Sequence, residues 1–255
     1  MKEKIAQKLQ ELEKQEGVVA FYACESGSRA WGFPSSDSDF DIRFLYMHPI
    51  DWYLSIVEKR DVIERPLKEQ LDINGWDIKK ALGLFRKSNP PLLEWLNSPI
   101  VYQEKFTIAS QMRELAKTYY SPSACVFHYL HMAQGNVREY IKGERVWVKK
   151  YFYVLRPILA IKWIEAGYGV PPTYFGTLVE QIIPSGLLKD EINQLIQKKN
   201  LGAELDYGDR IPVISEFLEF ELNRLEEDQK DYKNNPAPVA VLDDLFRQAL
   251  KEVYR

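Results

Sequence analysis

"ESGSRAWGFPSSDSDFDIRFLY", residues 25–46, sets the pair Gly27-Ser28 ahead of three aspartates, Asp37, Asp39 and Asp41, spaced two apart. The stretch before it, "VVAFYAC" (18–24), is a continuous apolar run and reads as a strand buried on both faces. Its last part, "DFDIRFLY" (39–46), alternates: Phe40, Ile42, Phe44 and Tyr46 fall on one face, Asp39, Asp41 and Arg43 on the other. An exposed acidic turn suits "SSDSD" but not Asp41, which lies inside an aromatic-rich strand. There, like carboxylates leaving water are costly unless a cation compensates. A calcium loop fails, because Ile42 stands where the sharp turn needs glycine and His48 where a bidentate Glu is needed. In the remaining reading, Asp39 and Asp41 lie about 7 Å apart on one strand face. They then share a pair of divalent ions roughly 3.5–4 Å apart. Gly27 permits close backbone approach, Ser28 offers a hydroxyl and an N–H, and the short helical turn that follows points free N–H groups at an anion. Phosphate binding and metal binding converge on this stretch. Asp37, in the preceding loop, reads as a turn or capping residue outside the site.

Outward from this stretch, Ile5, Leu9 and Leu12 mark an opening amphipathic helix closed by Gly17. Short strands are expected at 61–65 and 70–76, a helix at 77–87 with Asp77 as its N-cap, and a proline-led turn and helix at 88–99. Beyond residue 104 helical periodicity takes over, over 107–120, 123–142, 146–166, 190–199, 212–232 and 240–254. The expected architecture is α+β: a small mixed-sheet domain over residues 1–104, followed by an all-helical domain over 105–255.

Composition is that of a soluble globular protein, with 45% hydrophobic and 28% charged residues. The charged opening lacks the apolar core of a signal peptide, and no apolar run is long enough to span a bilayer. Cys24 and Cys125 sit apart in apolar surroundings, as reduced thiols do, so a cytoplasmic setting is expected and a structural zinc site is not. The net charge of −3 hides an asymmetry, since residues 105–165 carry ten Lys and Arg against four Asp and Glu. A uniformly basic nucleic-acid binder is excluded; a local patch for polyanions is allowed.

"GS" followed by "DSDFDIR" resembles the core motif of DNA polymerase β-type nucleotidyltransferases. The longer strings "GSRAWGFPSSDSDFDIRFLY", "GWDIKKALGLFRKSNPPLLEWLNSPIVY" and "KKYFYVLRPILAIKWI" resemble one branch, the RNA repair pathway DNA polymerase beta family. The resemblance covers roughly residues 18–165. It implies that Gly27 and Ser28 bind nucleotide phosphates and that Asp39 and Asp41 hold two magnesium ions. A third carboxylate is expected on a later strand, where Leu71-Asp72-Ile73 fits, with Asp77 as the competitor. Asp72 would bind the catalytic metal and take the proton of the attacking hydroxyl. Arg29 is placed to meet a phosphate oxygen, and Arg43 to pair with Asp41 or meet substrate. Lys149, Tyr153 and Arg156 recur at helical spacing beside Lys150, as a stripe that closes over the triphosphate and base or as a solvated helix face. His128 and His131 lack a neighbouring carboxylate and read as packing or surface residues. The resemblance implies a magnesium-dependent nucleotidyltransferase that uses an NTP, with an RNA end as acceptor. The alternatives are a small-molecule or protein acceptor, and a nucleotide-binding protein that has lost catalysis.

Overall fold

The computed structural model describes every residue except Asp37, Ala203, Glu204, Asp228, Gln229 and Arg255. The expectation for Asp37 therefore lies outside the described residues. Backbone contacts divide the chain into two units: residues 1–30, 39–120 and 235–255 form the first, and residues 31–38 with 121–234 the second.

The first unit opens with α1 (Lys2–Glu16), which buries Ile5, Leu9 and Leu12 and ends on Gly17 in the left-handed region, φ 63°. Then come β1 (Val19–Glu25), the short α2 (Gly27–Trp31), β2 (Phe40–Met47), α3 (Ile50–Tyr53), β3 (Val62–Lys68) and β4 (Leu71–Asp77). The helices α4 (Ile78–Arg86), α5 (Pro90–Leu96) and α6 (Ile108–Thr118) follow, with β5 (Val101–Glu104) between the last two. The strands form one mixed sheet in the order β3-β4-β2-β1-β5. β1 is antiparallel to both neighbours, and β2 runs parallel to β4. β1 is buried on both faces from Ala20 to Glu25, which explains why it is apolar as far as Cys24. Ile42, Phe44, Tyr46, Leu71 and Ile73 join the helix α1 residues in one core on one sheet face.

The opposite face of β2 changes character along its length. Asp41 and Arg43 are half-buried, whereas Leu45 and Met47 are buried. Polarity is thus confined to the first half of the strand, at one end of the parallel β2–β4 pair. That end holds the candidate site.

The first unit also takes the C-terminal helix, Val239–Val253, through side chains the sequence pattern did not single out. Phe246 meets Tyr53 edge-on at 5.0 Å, Tyr254 Oη donates to Met47 O at 2.9 Å, and Glu252 accepts from Thr107 N at 2.9 Å. A division between residues 104 and 105 therefore runs through this unit, since α6 and the C-terminal helix both pack within it.

The second unit contains α7 (Pro122–Tyr140), β6 (Arg145–Trp147), α8 (Tyr151–Glu165), α9 (Phe175–Ile182), α10 (Leu187–Asn200), β7 (Tyr207–Asp209) and α11 (Pro212–Glu227). The helix expected over 146–166 begins late. Val146 and Trp147 pair with β7, and a 3-10 turn over Val148–Lys150 leads into α8. β-Branched residues on both sides of Trp147 favour that extended start. Residues 31–38 belong here because Phe33 stacks on Phe152 at 4.3 Å and Lys199 Nζ donates to Ser35 Oγ at 2.7 Å. Among the described residues no helix is long and apolar enough to cross a membrane. Cys24 and Cys125 are free and buried.

Candidate active site

Asp41 and Asp72 are register partners across the parallel β2–β4 pair. Adjacent strands bring such partners to about 5 Å, so the two carboxylates share one small volume. Arg43, two residues beyond Asp41 on the same face, bridges them: Nη2 donates to Asp72 Oδ2 at 2.7 Å and to Asp41 Oδ1 at 3.2 Å. Its Nη1 donates to the carbonyls of Ile42 and Asp72, both at 3.1 Å. Burial pushes the Asp41 carboxyl up; Arg43 opposes the shift, and Asp72 and Asp39 add to it. Asp39 precedes β2 and is exposed, so the strand expected to begin there begins at Phe40.

The Gly27-Ser28 turn lies directly against this pair. Gly27 has φ +58°, and a Cβ there would stand 2.0 Å from Asp41 Oδ2. Only glycine gives both the backbone angle and the room. Ser26 N donates to Asp41 O at 2.8 Å, which ties the turn to the strand. Arg29 serves the same junction: its Nε donates to Asp39 O at 3.1 Å, and its guanidinium lies 3.7 Å from the Phe40 ring centre.

A carboxylate that the sequence reading passed over completes the arrangement. Glu25, fully buried at the end of β1, accepts the Asp41 N–H at 2.7 Å and the Tyr102 hydroxyl. Burial pushes its carboxyl up, and those two hydrogen bonds oppose the shift. The available signal was an acid closing an otherwise apolar strand; Tyr102, on an edge strand with little apolar pattern, gave none. Glu25→Ala leaves the Asp41 N–H and the Tyr102 hydroxyl without an acceptor, at about 1–3 kcal/mol for each orphaned group. Urea unfolding of E25A should show a loss on that scale, with Y102F losing less.

Asp77 is at the other end of the strand pair, where its register partner is Tyr46. It stands five residues from Asp72 along β4, about 16 Å at the strand rise. It accepts from Lys79 N at 2.8 Å as the α4 cap and from Tyr53 Oη at 2.6 Å. The competing third carboxylate is therefore engaged elsewhere. Burial is the main cause that pushes its carboxyl up to about 6 from 3.8. The folded state thus holds this proton more tightly than the unfolded chain does. Between about pH 4 and 6 its contribution to unfolding free energy falls as pH rises, by up to about 3 kcal/mol, and is flat above. Chemical denaturation across that window should show a shallower decline for Asp77→Asn.

Lys149, Lys150 and Tyr153 lie in the second unit. Lys149 N donates to Leu205 O at 2.9 Å. The Lys150 ammonium lies 4.0 Å from the Tyr140 ring centre and 4.7 Å from that of Tyr153, and burial lowers its pKa. Arg156 is buried over Trp31. Lys150 and Arg156 thus face aromatic rings within their own unit, an arrangement worth more than a solvated position.

Among the described residues no group of three or more His, Cys, Asp or Glu side chains is gathered for a metal ion. What is gathered is the pair Asp41 and Asp72, with Asp39 at the mouth and Arg43 supplying the compensating charge. As hard oxygen donors, the pair fits magnesium. The Gly27 backbone packs against Asp41 Oδ2.

The profile of the RNA repair pathway DNA polymerase beta family matches residues 1–248. The chain belongs to that family. Among curated proteins, the uncharacterized protein YcgL of Bacillus subtilis (strain 168) is 48% identical over 256 residues, covering 100% of this chain and 98% of its own. A nucleotidyltransferase-like protein from Exiguobacterium sibiricum 255-15, a solved structure, aligns over 98% of this chain and 81% of its own. At 12% identity and a TM-score of 0.32, that alignment is too distant to carry an argument. Family membership spans both units, so the second is as much a part of the family's architecture as the sheet.

Proposed function

We propose that the chain is a magnesium-dependent nucleotidyltransferase, moving a nucleoside monophosphate from an NTP to an acceptor hydroxyl with release of pyrophosphate. The observation that carries this reading is the Asp41–Asp72 pair with the Gly27 backbone against Asp41 Oδ2. A phosphate-binding turn and a two-carboxylate cation site meet at one point.

In this reading Asp41 and Asp72 hold the metal and Asp39 adds a donor from the mouth of the strand. Bound magnesium neutralises the triphosphate and stabilises the pyrophosphate leaving group. Gly27 and Ser28 present backbone N–H groups and a hydroxyl to the terminal phosphates, and Arg29 holds the turn to the strand. Asp72 is the more exposed of the pair, at 39% against 27% for Asp41. Its Oδ1, which Arg43 does not hold, accepts the proton of the attacking hydroxyl. The acceptor is an RNA end, a reading supported by the family and by the excess of Lys and Arg over residues 105–165.

The test is incubation of the purified protein with magnesium, each labelled NTP in turn, and RNAs with free 3′ hydroxyls. Label on the RNA with matching pyrophosphate release is expected. Label on a protein or small molecule in place of RNA would overturn the acceptor. Tight NTP binding without pyrophosphate release under any acceptor would overturn the enzyme.

A further inference from the structure

We propose that Arg43 is a resident counter-cation of the Asp41–Asp72 pair, making the site take a divalent ion together with a triphosphate and not before it. This rests on the function proposed above and adds an order of loading to it.

The guanidinium is fixed by four acceptors. Two are carboxylate oxygens, Asp72 Oδ2 and Asp41 Oδ1, and two are the backbone carbonyls of Ile42 and Asp72. A metal could displace Arg43 from the carboxylates, but the carbonyls belong to the strands and cannot leave. Arg43 therefore stays beside the pair whatever the carboxylates do. Its side chain is only 18% exposed.

The charge count sets the consequence. Without Arg43, the pair offers an incoming divalent ion two negative charges; with it, one. The ion must also approach a fixed positive group at close range in a partly dehydrated setting, where Coulomb terms far exceed those in water. Geometry does not forbid entry. Each carboxylate keeps an oxygen outside the two Arg43 bonds, Asp72 Oδ1 and Asp41 Oδ2, and the latter lies toward Gly27. A triphosphate seated on the Gly27-Ser28 turn adds several negative charges on that side and reverses the balance. The same bridge accounts for a like-charged pair persisting in the fold.

A purely structural Arg43, tying β2 to β4, predicts the opposite sign: its removal would loosen the pair and weaken metal binding with or without nucleotide. Manganese binding followed by electron paramagnetic resonance separates the two. Wild type, Arg43→Gln and Arg43→Lys are each titrated alone and with a non-hydrolysable NTP. Without nucleotide, R43Q should bind manganese about ten-fold more tightly than wild type, R43K should stay near wild type, and the gap should close when nucleotide is added. Manganese affinity in R43Q equal to or weaker than wild type overturns the proposal. Wild type supplies a second measurement should R43Q not fold: its manganese affinity must rise at least about ten-fold with nucleotide, and a nucleotide-independent affinity overturns the proposal as well. Asp41→Asn in the wild-type background distinguishes the two levels of inference. If manganese binds D41N undiminished with nucleotide, the metal assignment itself fails. If D41N abolishes binding but R43Q shows no gain, only the role of Arg43 fails.

Discussion

Asp41→Asn is expected to cut the proposed nucleotidyl transfer by about 10³-fold or more, the scale of losing one fixed electrostatic element of a transition-state clamp. The substitution is close to isosteric, so the interactions that hold this position survive. Asp41 is fixed through its backbone, by the N–H donated to Glu25 and the carbonyl that accepts from Ser26. Neither depends on the side-chain charge. What disappears is one of the anionic ligands that the proposed function assigns to the metal, and Arg43 then cancels the charge of Asp72 that remains. Pyrophosphate release with saturating NTP and magnesium measures the loss, and circular-dichroism melting checks that the fold persists. Retained turnover in a folded D41N would remove Asp41 from the chemistry.

Gly27→Ala should be the second most damaging single change for its size. Two costs combine. An L-residue at φ +58° carries a backbone penalty of about 1–2 kcal/mol. The added methyl also meets Asp41 Oδ2 at 2.0 Å, a separation no real contact tolerates. Asp41 cannot swing freely aside, because Arg43 holds its other oxygen. Either the Gly27-Ser28 turn lifts away from the strand or the carboxylate leaves Arg43, and both misplace the site by about an ångström. Misplacement on that scale costs about 10²-fold in rate. Steady-state kinetics at saturating NTP should show the rate loss, and thermal unfolding the smaller stability loss.

Much of this could be read before the structure, and the reason is local. The apolar run into β1, the alternation in β2 and the position of Gly27 are short-range patterns, and the two strands lie within thirty residues of each other. Asp72 was legible as a carboxylate flanked by apolar residues; its identity as the register partner of Asp41 depends on a parallel pairing that no local pattern encodes. The separation of Asp72 from Asp77 is of the same kind. Five residues on paper become opposite ends of a strand once β4 is known to be extended throughout. Glu25 was missed because a buried acid has no periodicity of its own; its partners come from residues 41 and 102. The return of the C-terminal helix to the first unit rests on Tyr53–Phe246 and Thr107–Glu252, contacts between residues far apart in sequence. The broken start of α8 was hidden by a run whose spacing also suits a helix, until pairing with residues 207–209 extends it.

Crystallography would show whether Asp41 and Asp72 face a metal-bound triphosphate seated on Gly27-Ser28. Crystals of the protein grown with manganese and a non-hydrolysable NTP would be measured at the manganese absorption edge. An anomalous peak in coordination contact with both Asp41 and Asp72 is expected, with the terminal phosphates against the Gly27-Ser28 turn. A peak at Asp77, or a triphosphate bound away from that turn, would contradict this arrangement.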